Sequence, residues 1–226
     1  MIVIIPARGD SKGLPGKNVK LLSGKPLIAY TIEAALASKL VSRVIVSTDD
    51  SNIAEVAKKY GAEVPFLRPK YLAEDDSLAV DTYLYTINRI CKEESIIVEN
   101  LIVLQPTSPL RTSHDIDNAI KLFKINNADS VISYTQEMHP ISWHKNIDSD
   151  QRIISLPNEK LQNRQDLQPT YYPNGAIYIF KFELLKSKTY YTENSFAYIM
   201  PRNRSIDIDY IDDFEYAEFL ILKNKK

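Results

Sequence analysis

The sequence predicts a doubly wound α/β domain, and three observations predict it. Ile2–Ile5, Val44–Ser47 and Leu101–Leu104 are short runs of β-formers without polar alternation, the pattern of strands buried on both faces. Segments with apolar residues at helical spacing alternate with such runs through short joints, as in a parallel sheet with right-handed crossovers. Loops rich in polar residues, Gly and Pro follow directly on the first and fourth strands, where such a sheet receives its ligands.

The first strand runs into Pro6 and a loop, ending at Asn18, that strings Arg8, Lys12 and Lys17 among Gly9, Gly13 and Gly16. Glycine lets backbone N–H groups approach an anion, and the cations supply its counter-charge, so this is a candidate phosphate loop. A P-loop would need Gly and Ser/Thr where Ser11 and Asn18 stand, and a dinucleotide fingerprint would need Gly at Ser11, so the loop is neither. Lys25–Ser38 predicts a helix with Leu27, Ile28, Ile32, Ala35 and Leu36 on one stripe. The second strand ends at Thr48-Asp49-Asp50, and helix Ser51–Tyr60 follows, capped by Asp50 or Ser51 and closed by Gly61.

Glu63–Leu67 predicts a third strand leading to Arg68-Pro69, and Asp76–Cys91 a helix that faces inward through Val80, Leu84 and Ile87. The fourth strand opens onto QPTSPLR, residues 105–111. Pro106 and Pro109 fix that turn, and Gln105, Thr107, Ser108 and Arg111 are the polar groups presented. In a doubly wound sheet this loop faces the opening one across the crevice. Helix Ser113–Ile125 and strand Ser130–Tyr134 continue the alternation.

Composition then changes. Residues 136–173 are rich in Gln, Asn and Asp, with Trp143, His139, His144 and four prolines, and predict an inserted segment outside the core. Ala176–Phe180 and Ala197–Met200 return as strands. A final helix runs from about Ile211 to Leu222, with Asp212 or Asp213 at its N-terminus. Just before it lies Ser205-Ile206-Asp207-Ile208-Asp209. On a strand, alternate residues share a face, so Ile206 and Ile208 turn to the core and both carboxylates turn away. Such a pair suits Mg²⁺ (or Mn²⁺), which completes its shell with water and phosphate oxygens.

The totals bound the rest. With 226 residues, 44% of them hydrophobic, the chain is long enough for one well-packed domain. A net charge of −1 argues against nucleic acid or an anionic membrane as partner, so the basic loop is a local feature. Cys91 is the single cysteine, which excludes an internal disulfide and fits a reducing cytoplasm. No apolar stretch approaches membrane length, and the first strand is too short and lacks the basic leader of a signal peptide. The expectation is a soluble cytoplasmic protein.

PAR…SKGLPGKN, LQPTSPLR, PNGAIYI and SIDID follow one another over essentially the whole chain. In that order they resemble the motifs of the acylneuraminate cytidylyltransferases, which make CMP-sialic acid and related CMP-nonulosonates. The resemblance implies a three-layer Rossmann-like nucleotidyltransferase fold, one domain over residues 1–226. It makes residues 136–173 a protruding arm that crosses to the other subunit of a homodimer and covers its sugar site. It implies that a hydroxyl of a nine-carbon 2-keto sugar acid attacks the α-phosphorus of CTP and that pyrophosphate leaves. Arg8, Lys12 and Lys17 would neutralise the outer phosphates, and Asp207 and Asp209 would hold the metal.

By the same resemblance Ser11, Gly13, Asn18, Arg68 and Ser77 fall to CTP, with Asn18 and Arg68 on the cytidine. Gln105 lies between base and sugar, and Arg164, Asn174, Gly175 and Tyr178 meet the sugar acid. No dedicated general base is evident. Two stretches depart from the family pattern: Ser142-Trp143 where a lysine often follows His-Pro, and Asp75-Asp76-Ser77 in place of Asp-Thr-Ala. Both face substrate, so legionaminate and pseudaminate stand beside N-acetylneuraminate. An eight-carbon acid such as 3-deoxy-manno-octulosonate is a further reading of the acceptor, and a catalytically silent nucleotide-binding scaffold a further reading of the chain.

Overall fold

A computed structural model describes residues 1–155 and 167–223. Strand β1 (Ile2–Pro6) leads through the basic loop to a small hairpin, β2 (Leu21–Leu22) and β3 (Lys25–Pro26), and then helix α1 (Leu27–Leu36). Next come β4 (Arg43–Ser47), α2 (Ser51–Lys59), α3 (Ala79–Glu94), β5 (Asn100–Val103), α4 (Ser113–Ile125) and β6 (Ser130–Gln136). The inserted region holds β7 (Lys145–Ile147) and β8 (Ile153–Ser155). The chain returns through β9 (Tyr171–Lys181), α5 (Phe182–Lys186), β10 (Ser195–Ile199) and α6 (Ile211–Lys223).

Six strands form the central sheet in the order β10-β6-β9-β5-β1-β4. β1 is parallel to β4 and β5, β10 is parallel to β6, and β9 alone runs against its two neighbours. Strand order reverses at β1, so the loops leaving β1 and β5 border the same crevice. The lack of polar alternation in β1 has a direct cause. Val3 and Ile5 pack with Ile32 of α1, Ile53 of α2 and Ile120 of α4, while Ile4 packs with Ile87 of α3 and Leu185 of α5 on the opposite face. Each such fully buried side chain is worth about 1.5–3 kcal/mol of apolar transfer.

Local signals hold where they carry a mechanism. The Asp50 carboxylate accepts from the Ile53 N–H at 2.8 Å and caps α2, and Thr112 and Asp115 form a reciprocal capping box on α4. Cys91 lies on α3, partly buried against the core.

Three expectations need correction. The strand foreseen over Glu63–Leu67 is a single bridge from Glu63 to Ile45; Pro65 lacks a donor, and the chain turns so that the Arg68 N–H reaches the Thr48 carbonyl at 2.8 Å. The helix foreseen from Asp76 starts at Ala79 and ends past Cys91, where Ser95 adopts φ +55°. Ser205–Asp209, read as a strand, forms none. In the inserted region β7 and β8 pair only with each other, apart from the central sheet.

Candidate active site

A third apolar cluster organises the site. Leu14 of the basic loop, Leu22, Leu27, Ile208 and Phe214, Ala217 and Ile221 of α6 are buried together, with Ile206 against them. This small core fastens the end of the chain to its beginning. The Ile208 N–H also donates to the Thr107 carbonyl at 2.9 Å, and the Asp213 carboxylate accepts from the Asp209 and Tyr210 N–H groups at 3.0 and 2.9 Å. The alternation expected of SIDID therefore survives without a strand: the isoleucines face in and the carboxylates face out.

Gly13 makes this junction possible. A Cβ there would come within 2.4 Å of the Asp209 backbone oxygen, so only glycine lets the basic loop lie against the acidic one. Between them, and bounded by the loops after β5 and before α3, opens a cleft of about 410 Å³. Ten of the residues expected to contact nucleotide or metal line it: Arg8, Ser11, Lys12, Gly13, Lys17, Asn18, Arg68, Ser77, Gln105 and Asp209.

All three basic side chains of the loop have carboxylate partners. Asp75 takes both Arg8 (3.0 Å) and Lys12 (2.7 Å), and Lys12 in particular holds its carboxyl below the usual range. The Lys17 ammonium, largely shielded, donates to the Ile208 carbonyl at 2.8 Å and to Asp209 at 3.1 Å. The exposed Arg8 and Lys12 pairs are individually weak and exchangeable for other charges.

The floor is different. Asn18 (5% exposed) donates through Nδ2 to the Arg8 carbonyl at 3.0 Å, but its Oδ1 has no hydrogen-bond partner among the described residues. Arg68 (6% exposed) lies 3.5 Å from Asp49, and its Nε is likewise without a partner. Burial pulls the guanidinium pKa down, with Asp49 opposing. A buried acceptor and a buried donor left open in one cleft are costly unless a ligand satisfies them.

Asp207 lies beside the cleft, against β9 and Gln105. A Cβ on Gly175, whose φ is +75°, would meet the Asp207 Oδ2 at 2.8 Å and the Gln105 Oε1 at 3.4 Å. Surrounding protein raises the Asp207 pKa, the Thr107 hydroxyl and Lys17 oppose the rise, and the charges of Asp209 and Asp213 add to it. Tyr178 is close enough to feel Asp207: burial first, then that carboxylate, push its phenol up to about 12.

Asn174 and Arg111 lie deeper than their expected roles would place them, and Arg164 lies outside the described residues. Asn174 is 2% exposed, beneath the surface, with its amide engaged by other protein groups rather than presented to a ligand. Arg111, read as a presented group, is buried; it donates to the Gln105 and Ala176 carbonyls at 3.2 and 2.8 Å and to Thr31 at 2.6 Å, pinning the QPTSPLR loop to β9 and α1. Arg164 falls in residues 156–166. The sequence reading took Asp75 only as a departure from a motif, Asp213 only as a helix N-terminal residue and Thr107 only as a loop polar group, and gave Ser205 no role.

The family profile of cytidylyltransferases matches residues 2–226. The chain belongs to that family. The CMP-N,N'-diacetyllegionaminic acid synthase of Legionella pneumophila is 37% identical to this cytidylyltransferase over 234 residues, covering 100% of the chain and 98% of the relative. An N-acylneuraminate cytidylyltransferase of Streptococcus agalactiae is 38% identical over 217 residues, 94% of the chain. The chain spans about half the length of that relative (51%). Among solved structures, a CMP:2-keto-3-deoxy-manno-octonic acid synthetase complexed with CTP superposes with a TM-score of 0.75, covering 99% of this chain and 98% of the other at 16% identity. That likeness establishes the fold.

Proposed function

We propose that this cytidylyltransferase moves CMP from CTP onto a nine-carbon 2-keto sugar acid, an N-acylneuraminate or a relative such as legionaminate, and releases pyrophosphate. The observation that carries the reading is the clamped junction of two loops. Lys17 bonds Asp209, so the loop's cations and one carboxylate of the acidic pair stand at one cleft, with Asp207 beside it. Triphosphate oxygens replace Asp75 and Asp209 as partners of Arg8, Lys12 and Lys17, exchanging single carboxylates for a polyanion. A cytosine edge offers an amino donor to the Asn18 Oδ1 and an acceptor to the Arg68 Nε. Ser11, Gly13 and Ser77 line the nucleotide end, and Gln105 separates it from the sugar end at Gly175 and Tyr178.

Asp207 and Asp209 form an all-oxygen donor set, and among the described residues no group of three or more metal-ligating side chains gathers. Two carboxylates with the remaining positions open suit Mg²⁺, or Mn²⁺, whose shell is completed by phosphate and water. When bound, such an ion neutralises phosphate charge and lowers the pKa of the acceptor hydroxyl. The chain's own part is alignment: an acceptor oxygen forms its bond to the α-phosphorus as the bond to the β-phosphate oxygen breaks and the hydroxyl proton departs.

The full-length match to the legionaminic acid synthase favours a nine-carbon acid. Pyrophosphate release from CTP should be fastest with di-N-acetyllegionaminate or N-acetylneuraminate. A preference for pseudaminate would move the assignment within the class, and one for octulosonate would overturn it.

The same reading makes residues 136–173 an arm of a homodimer. Its support is apolar surface that this chain leaves uncovered: Ile141, Trp143, Ile147, Ile153 and Ile154 are all exposed. Sedimentation should give twice the chain mass, and Trp143→Ser with Ile153→Ser should shift it toward the monomer. A wild-type monomer would refute the arm. Among the described residues no helix is long and apolar enough to cross a membrane.

A further inference from the structure

Asn174 sits where β9 breaks its register with β6. Ile132 faces Tyr178, yet Tyr134 faces Pro173, so the stretch from Asn174 to Ile177 bulges out of the ladder. A bulge frees backbone groups that must be satisfied. Here the Ala176 N–H donates to the Asn174 Oδ1 at 3.2 Å and the Ile177 N–H to the Ser133 Oγ at 2.8 Å. The Ser133 hydroxyl lies 2.6 Å from the Asn174 Oδ1. On its other side Asn174 donates through Nδ2 to the Ser205 Oγ at 2.9 Å, and Ser205 donates to the Pro201 carbonyl at 2.9 Å. The result is a buried, directed chain of hydrogen bonds from the sheet to the segment that carries Asp207, two residues beyond Ser205.

The bulge also sets where that carboxylate lies. It brings Gly175, at φ +75°, so close that a Cβ would stand 2.8 Å from the Asp207 Oδ2. Asp207 thus abuts the bulge, while Thr107 holds the same segment through the Ile208 N–H. We infer that Asn174 is a positioning residue for Asp207 and not a contact to the sugar acid: with Ser133 and Ser205 it fixes the β9 bulge and the approach of the Asp207 segment to it. The inference rests on the proposed role of Asp207 as a metal ligand.

Asn174→Ala and Ser205→Ala, singly and together, separate the two roles. Mn²⁺ is titrated into each protein with a non-hydrolysable CTP analogue and followed by electron paramagnetic resonance, with Asp207→Ala as the blank. Each single variant should bind Mn²⁺ about tenfold or more weakly, the usual cost of removing a support behind a metal ligand. The double variant should be little worse than the weaker single one, because both break the same chain. KM for the sugar acid should stay within about twofold of wild type. A large rise in that KM with Mn²⁺ affinity unchanged would make Asn174 a substrate contact and overturn the inference, as would a silent Ser205→Ala. If wild type and Asp207→Ala bind Mn²⁺ alike, the metal reading of Asp207 fails instead. Thermal melts identify a variant that fails to fold, and Ser205→Ala then decides alone.

Discussion

Gly13→Ala is expected to lower turnover by about 10²–10³-fold while the chain stays folded. The added Cβ would lie 2.4 Å from the backbone oxygen of Asp209, closer than any carbon tolerates, and neither backbone can yield easily. Leu14 holds one side of the junction and Ile208 the other through the same buried cluster, so strain displaces the loops at the cleft before it opens the core. A misplacement of about 1 Å near reacting groups costs on the order of 10² in rate. Gly16→Ala is the control: φ is +64° there, but a Cβ would meet nothing within 4 Å. It carries only left-handed strain, about 1–2 kcal/mol, and should leave most of the turnover. Rates by pyrophosphate release, with thermal melts alongside, test the pair. Equal rates for the two variants would mean that the contact of the two loops is unimportant.

Asp207→Asn should remove about 10²–10³ in rate and, measured without divalent metal, raise thermal stability near neutral pH. The sign follows from linkage. Desolvation by the neighbouring chain first, then the Asp209 and Asp213 charges, outweigh Thr107 and Lys17 and raise the folded-state pKa of the solvent-facing Asp207 above its unfolded value. Between those two values the folded chain binds more protons, so stability falls as pH rises through the window. Above it the ionised carboxylate is a standing cost that Asn does not carry. The melting temperatures of wild type and variant should converge as pH drops below the window. A variant less stable than wild type at pH 7 would show that Asp207 is held by favourable partners instead.

Much of this was legible in the sequence because its causes are local. Uninterrupted apolar runs marked β1, β4 and β5, since both faces of each are covered. Asp50 and Gly61 marked the ends of α2 through their own hydrogen bond and backbone geometry. The meeting of the β1 and β5 loops followed from topology. What escaped was set by tertiary contact. Nothing local says that Arg111 spends its guanidinium on Ala176 and Thr31, or that the Asn174 amide is consumed beneath the cleft. The β9 bulge at Asn174-Gly175 and its contact with Asp207 exist only once β6, β9 and the chain end are assembled. Asp75 was read as a departure from a motif, and its pairing with Arg8 and Lys12 appears only in the fold.

The central claim is that the clamped basic and acidic loops transfer CMP from CTP to a nine-carbon sugar acid. Mass-spectrometric detection of product from CTP, Mg²⁺ and di-N-acetyllegionaminate, N-acetylneuraminate, pseudaminate or octulosonate, with Asp209→Ala in parallel, tests it most directly. The account predicts a CMP-linked nonulosonate and an equal yield of pyrophosphate, both lost in Asp209→Ala. CTP bound but no CMP-sugar from any acid, or product formed equally well by Asp209→Ala, would contradict it.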